Sequence, residues 1–358
     1  MRRLLTLKDR PRIDPPDIRK ILLLRPRRLG DIILTTPAVG ALRKSLPQAS
    51  ITYLLETPYR RLIEGSELVD EVIVLPPALS LAYLVRLIAK LRRRYYDLVV
   101  DFHGGPRTAI ISLLCGARLR VGYKTKYKAW VYQRQVPRSR PEGPIHSVAN
   151  HLNLIRALGL EITDDFPLYV PASTAKEREK IAAFWQKWSL PSSRVLAVHI
   201  SAGNRFRDWG KDNLVRFLKK ILLIPEIIPL LIGSEEDIAR EKQILSSLAR
   251  PVPSLVGNLS LGELIALLER VDVFFGADSG PMHLAAALKK PVVALFGPTL
   301  PAHFAPWKTQ AVILEKPLTC RPCRQRSCPE KNYPCIQGID PDEAVAASLS
   351  LLRACSET

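Results

Sequence analysis

Residues 271–299 read VDVFFGADSGPMHLAAALKKPVVALFGPT, and this stretch decides the fold class. The apolar run 271–276 predicts a buried strand, the polar residues 277–281 a tight turn, 282–288 a helix, and 291–296 a second buried strand. A helix between two fully apolar strands is a βαβ unit, whose strands pair in parallel. Its turn sets a helix N-terminus just past the carboxyl end of a strand, where open parallel sheets bind ligands. Free backbone N–H groups and the positive end of the helix dipole there favour an anion, typically a phosphate. Asp278 offers an acceptor for sugar hydroxyls, and His283 a donor to phosphate. The competing reading is that Asp278 or Ser279 only caps the helix and that His283 is a satisfied core residue.

Working outward, strands and helices alternate along the rest of the chain. A short strand at 20–24, a loop at 25–30 and a helix at 31–45 open the pattern. Strands at 51–55, 71–75 and 98–102 follow, with helices at 82–93 and on through Leu114. Shorter strands lie near Val121 and Val136, and the helix 146–158 stops at Gly159, a common helix end. The extended, Pro-rich linker 167–173 is followed by a second run. Its helices are expected at 175–189, 212–223, 236–249 and 260–269, its strands at 195–200 and 227–232, and the opening unit comes last. This alternation predicts doubly wound parallel sheets. The expected divisions are a basic extension 1–19, domains at 20–170 and 171–340, and a final segment 341–358 whose helix is free to return to the first domain.

At 358 residues the chain exceeds what one core usually supports, so two domains are the default. No stretch of 18 or more uncharged apolar residues occurs, which argues against a membrane-spanning helix. The basic N-terminus carries too short an apolar run for a signal peptide, so the cytoplasm is expected. Lys and Arg number 53 against 34 acids, a net charge of +19. The window 102–141 holds nine Lys or Arg and no acid, with Tyr123, Tyr127, Trp130 and Tyr132 among them. Such a window suits an anionic partner: nucleic acid, an anionic membrane surface or a phosphorylated substrate. No nucleic-acid module signature accompanies it. A dinucleotide dehydrogenase is also disfavoured, because residues 25–31 hold a single Gly and no G-x-G-x-x-G follows the first strand.

Several segments together carry a resemblance. KILLLRPRRLGDIILTTPAVGALRKSLPQASITYL (20–54) resembles the N-terminal signature of the glycosyltransferase family 9 heptosyltransferases. YYDLVVDFHGGPRTAIISLLCGARLRVGY (95–123) is similar to the family's middle segment, and HISAGNRFRDWGKDNLVRFL (199–218) to its next one. The opening stretch resembles the family's second signature: Asp-Ser/Thr-Gly, two residues, His, then Lys-Pro-Val-Val and Gly-Pro-Thr. The motifs run in the family's order over nearly the whole chain, roughly residues 20–352.

The resemblance implies a GT-B fold, an α/β architecture of two Rossmann-like doubly wound domains facing across a cleft. It implies inverting transfer of a sugar, usually heptose from ADP-heptose, onto the lipopolysaccharide inner core at the cytoplasmic face of the inner membrane. Inversion needs a base on the acceptor hydroxyl and stabilisation of the departing diphosphate. Asp31 matches the family's catalytic Asp; its competing reading is a helix cap. Arg207, two residues before Trp209, stands where the family typically carries Lys, and a planar guanidinium fork replaces a compact charge. Ser201, Ala202 and Gly203, with Ser279, Gly280 and His283, match the phosphate-facing loops, and Asp278 the sugar-contacting carboxylate. Among Glu235, Glu236 and Asp237 the acid near the nucleoside is ambiguous, with Glu236 taken as the candidate. Arg28, Gly30, His103, Arg107, Arg120 and Lys124, in the domain that binds the acceptor in this family, are the acceptor-binding candidates.

No cofactor is required by this scheme, since Arg207, the helix N-terminus and His283 can balance the diphosphate. Cys320, Cys323, Cys328 and Cys335 follow a C-x2-C-x4-C-x6-C spacing that allows structural zinc or an iron–sulfur centre, against unbound loop thiols. Cys115 reads as a core residue. Two other functions stay open: the same reaction with a different nucleotide sugar or acceptor, and a non-catalytic protein that binds anionic ligands or nucleic acid.

Overall fold

The computed structural model describes residues 17–78, 80–125, 129–138, 143–190 and 194–354. Most of the 1–19 extension and Cys355 lie outside the described residues. The chain divides between Pro167 and Leu168 into two compact units.

The first unit carries strands β1 (Lys20–Leu24), β2 (Ser50–Glu56), β3 (Glu71–Leu75), β4 (Leu98–Asp101), β5 (Leu119–Tyr123) and β6 (Arg134–Val136). They form one parallel sheet in the order β3-β2-β1-β4-β5-β6. The burial of β1, β2 and β4 on both faces explains why their sequences are continuous apolar runs rather than alternating ones. On one face of the sheet, the helices Leu81–Arg92 and Pro106–Leu114 bury Leu87, Leu91, Ile111 and Cys115 against Leu22, Leu54 and Val99.

The second unit carries β7 (Arg194–His199), β8 (Ile227–Ile232), β9 (Val273–Ala277), β10 (Val292–Phe296) and β11 (Ala311–Glu315), again all parallel, in the order β11-β10-β9-β7-β8. Its core stacks Phe217 on Phe275 at 4.2 Å, with Trp209 against both. The final helix Pro341–Ala354 belongs to this core. It buries Ala344, Leu351 and Leu352 among Leu196, Val198 and Phe275, and Arg194 donates to the Leu352 carbonyl at 2.5 Å.

In both sheets the strand order reverses once, between β1 and β4 and between β7 and β9. Connections leaving two such strands diverge to opposite sides, which opens a crevice at their carboxyl ends. The motif residues cluster at these two points. Among the described residues no helix is long and apolar enough to cross a membrane.

One expected element differs in kind. The helix anticipated at 31–45 is two helices, Leu29–Ile33 and Thr36–Ser45. Pro37 sits in the first turn of the second, where its missing N–H costs nothing, and the Thr35 and Thr36 hydroxyls donate to the Ile32 and Ile33 carbonyls. Asp31 is therefore not a helix N-cap. It is the third residue of the short first helix, where its carboxylate accepts from the backbone N–H of Arg28.

Candidate active site

At the first switch point, β1 is followed by the buried residue Arg25, only 5% exposed. Its guanidinium bridges the two diverging strands: Nη1 donates to the Phe102 carbonyl at 2.9 Å, and Nη2 meets Asp31 Oδ2 at 2.7 Å. The Asp31 side chain stays 39% exposed, so the carboxylate is aimed by a buried cation yet reachable by a ligand. At the end of β4, the fully buried Asp101 holds the next loop. It accepts from the backbone N–H groups of His103 and Gly104 at 2.9 and 2.8 Å, and from the Tyr132 hydroxyl at 2.6 Å. Tyr132 reaches it by lying over Gly122, where a Cβ would come 2.6 Å from the ring. Gly105 likewise leaves room for the His103 ring, which a Cβ there would meet at 2.5 Å.

His103 is half-buried; burial, then the charge of Arg25, lowers its pKa below the usual histidine value, while Asp101 and Asp31 pull the other way. The ring is thus neutral near pH 7 and sits within electrostatic reach of Asp31. Arg107 pairs with the buried Glu56 at 3.4 Å. Gly30 is buried in the short helix, and the Arg28 and Lys124 side chains are exposed. Arg120 departs from expectation. It is buried, with Nε donating to the Val131 carbonyl at 2.7 Å and Nη1 to the Ala117 carbonyl at 3.4 Å. Its guanidinium ties β5 to the following turn and is not presented to an acceptor.

The second switch point gathers the other motif residues. The loop after β7 carries Ser201, Ala202 and Gly203, the last with a left-handed φ of +59°. Ser201 donates to Asp237 Oδ2 at 2.9 Å, and Ser234 binds the same oxygen through its N–H and hydroxyl. Asp237, rather than the exposed Glu236, is therefore the acid fixed at the end of β8. Arg207 lies on a short 3-10 turn, Arg205–Arg207. It reaches across to the end of β9, with Nη1 3.2 Å from both the carbonyl and Oδ2 of Asp278.

Asp278 is 3% exposed and also accepts from the Thr299 hydroxyl at 2.6 Å, with His283 Nε2 at 3.8 Å. It is engaged inward, so the expectation of a carboxylate open to sugar is replaced by one that holds Arg207 and Thr299. The helix Gly280–Ala287 starts at Gly280 with no side-chain cap from Ser279, whose hydroxyl instead faces His199 Nδ1 at 3.4 Å. Burial lowers the His199 pKa to about 4, leaving a neutral ring.

Sequence reasoning missed five participants here. His199 had a signal, since it is the polar residue ending the apolar run VLAVH of β7. Thr299 stood in the quoted Gly-Pro-Thr without a role. Arg240 and Asp208 form a two-pronged pair at the rim, one prong at 2.7 Å, that no local pattern announces. Gln325, from the Cys-rich segment, accepts from Asn204 at 2.8 Å and from Arg207 Nε at 3.3 Å.

That last contact gives the Cys-rich segment a visible role. Cys323 N–H donates to the Pro298 carbonyl at 3.2 Å, and Arg321 to the Thr299 carbonyl at 3.0 Å, so the loop is strapped onto the end of β10. Cys320, Cys323, Cys328 and Cys335 are free thiols lining one small cavity of about 30 Å³ with Phe206 and Tyr333. Burial raises the Cys335 thiol pKa, and the other three cysteines add to the rise. Among the described residues no three His, Cys, Asp or Glu are gathered as metal ligands, so the spacing does not translate into a preformed cage.

Two doubly wound parallel sheets, each with polar residues converging at its switch point, are the two-domain architecture of the GT-B fold. A family model described as glycosyltransferase family 9 (heptosyltransferase) matches residues 84–334. The chain belongs to this family and is a glycosyltransferase. Lipopolysaccharide heptosyltransferase 3 of Escherichia coli K12 is 25% identical over 342 residues, covering 90% of this chain and 95% of that protein. The crystal structure of a family 9 glycosyl transferase from Veillonella parvula superposes with a TM-score of 0.82 at 20% identity, covering 96% of this chain and 99% of that one. The ADP-heptose lipopolysaccharide heptosyltransferase II structure from E. coli gives 0.78 at 21% identity, covering 95% and 100%.

Proposed function

We propose that the protein transfers heptose from ADP-heptose to the core saccharide of a lipopolysaccharide or lipooligosaccharide, with inversion at the anomeric carbon. The observation that carries this reading is the Asp31 carboxylate, held 2.7 Å from buried Arg25 at the reversal of the first sheet and partly open to solvent. In a single displacement, Asp31 takes the proton from an acceptor hydroxyl as that oxygen attacks the anomeric carbon. The carbon–oxygen bond to the diphosphate breaks, and ADP leaves with the bonding electrons. Arg207 and the N-terminus of the Gly280–Ala287 helix meet the charge that develops on the diphosphate.

Asp278 serves by holding Arg207 in place, and Ser201 with Asp237 frames the nucleoside side of the donor. Neutral His103 and the cations Arg28, Arg107 and Lys124 bind the acceptor's hydroxyls and phosphates. Support for heptose as the sugar comes from the family and from the named relatives, not from any group that reads out the sugar. The test is transfer from ADP-heptose, ADP-glucose and UDP-glucose to heptose-deficient core lipid, followed by mass spectrometry and NMR of the new linkage. A product formed from ADP-heptose alone, with inverted anomeric configuration, supports the reading. Retention, or preference for another donor, contradicts it.

A further inference from the structure

We infer that the outer face of the Leu81–Arg92 and Pro106–Leu114 helices docks the first unit onto an anionic phospholipid bilayer. These helices are neighbours on one face of the sheet, and Arg92 Nη1 joins them by donating to the Leu114 carbonyl at 3.3 Å. Their inner sides are consumed by the core, yet their outer sides are not polar. Leu81 is 77% and Val85 59% exposed, one turn apart on the first helix, and Ile110 and Leu114 repeat that spacing on the second. Trp130, 62% exposed, stands on the turn that packs against the second helix. Surface apolar residues are ordinary singly, but large ones aligned on adjacent helices mark a contact surface.

Charge selects the occupant. Arg86, Lys90, Arg93 and Arg118 are exposed around the apolar residues. The sole acids between Pro76 and Pro141 are Asp97 and Asp101. Asp101 is fully buried, and Asp97 is occupied by Arg118 and by the backbone N–H groups of Arg19 and Lys20. The face therefore pairs aliphatic side chains and a tryptophan with an excess of exposed cations over acids. That combination inserts apolar groups at the headgroup level while the cations meet anionic lipid. Nucleic acid needs cations and stacking aromatics but gives no reason for exposed Leu, Val and Ile on two helices. An acceptor anchored in a bilayer would be met by a protein already held at its surface, so the inference extends the proposed function.

The experiment is co-sedimentation of the full chain with vesicles, with neither donor nor acceptor present, so its outcome is separate from that of the transfer assay. Vesicles of phosphatidylglycerol mixed with phosphatidylcholine are compared with phosphatidylcholine alone, at low and high salt. Binding to the anionic vesicles, weakened by salt, is expected. Arg86→Ala with Lys90→Ala should lower affinity by about fivefold per cation. Leu81→Glu with Val85→Glu should lower it by at least tenfold, a loss that charge removal alone would not produce at an uninvolved site. Leu223→Glu, at the 80% exposed Leu223 of the second unit, should leave binding unchanged. Circular dichroism melts confirm that each variant is folded. Equal binding to neutral vesicles, an equal loss with Leu223→Glu, or binding to RNA with none to vesicles would overturn the inference.

Discussion

The guanidinium of Arg207 sits 3.2 Å from both the carboxylate and the backbone carbonyl of Asp278, a residue itself 3% exposed. Held by these two contacts, the cation is fixed before any ligand arrives. Preorganised charge of this kind costs no reorganisation when negative charge develops. Arg207→Ala should lower kcat by about 10²–10³-fold, and because it leaves the buried Asp278 carboxylate without its cation the melting temperature should fall as well. Arg207→Lys keeps the charge but loses the fork that spans Asp278 and Gln325, so a smaller drop, about tenfold, is expected. Steady-state kinetics of the two variants side by side check this.

Gln325 acts on the same cation from the Cys-rich loop, accepting from Arg207 Nε and Asn204 Nδ2 through one oxygen. Gln325→Ala removes that anchor and leaves Arg207 itself in place. Expected is a fall in kcat of about tenfold with KM for the donor changed less, since positioning matters most in the transition state. Gln325→Glu, which keeps the acceptor oxygen, should recover most of it.

Asp278→Ala leaves Arg207 and the Thr299 hydroxyl without their shared partner. Removing one member of a buried charged pair costs about 3 kcal/mol. Because Arg207 is 28% exposed and water can reach it, a loss at or below that figure is expected from urea denaturation.

Burial lowers the pKa of His199 to about 4 and that of His151 well below the usual histidine value. Between about pH 4 and 6.5 the unfolded chain therefore binds a proton at His199 that the folded chain does not, and the lowered pKa of His151 acts in the same direction. Stability is full above about pH 6.5 and declines as pH falls toward 4, by up to about 1.4 kcal/mol per pH unit for each histidine. Melting temperatures across that range test this, and His199→Gln should flatten the slope.

Much of the fold was legible because its signals are local. Continuous apolar runs at β1, β4, β7, β9 and β10, each followed by a polar turn and a helix, can be read from residue types alone. The Pro37 break was less visible, since the apolar pattern continues through it. At the candidate site, Asp31, Ser201 and Arg207 were singled out by their motifs, and the structure places them at the two switch points. What stayed hidden depends on chain folding. Arg120 turned inward because carbonyls 11 and 3 residues away close on it. Gln325 meets Arg207 across 118 residues, and no periodicity reports such a distance. The Cys spacing left a metal site and unbound thiols both open, and only the folded chain shows the four thiols lining one cavity in a loop strapped to β10.

The central claim is that Asp31 is the base. The most direct measurement compares Asp31→Asn with the native enzyme in single-turnover transfer from ADP-heptose, alongside calorimetric binding of ADP. The substitution keeps the side chain's shape but removes its proton-accepting charge. The account predicts a rate lowered by at least about 10²–10³-fold with ADP affinity within about twofold. A variant that transfers heptose at near-native rate would contradict it.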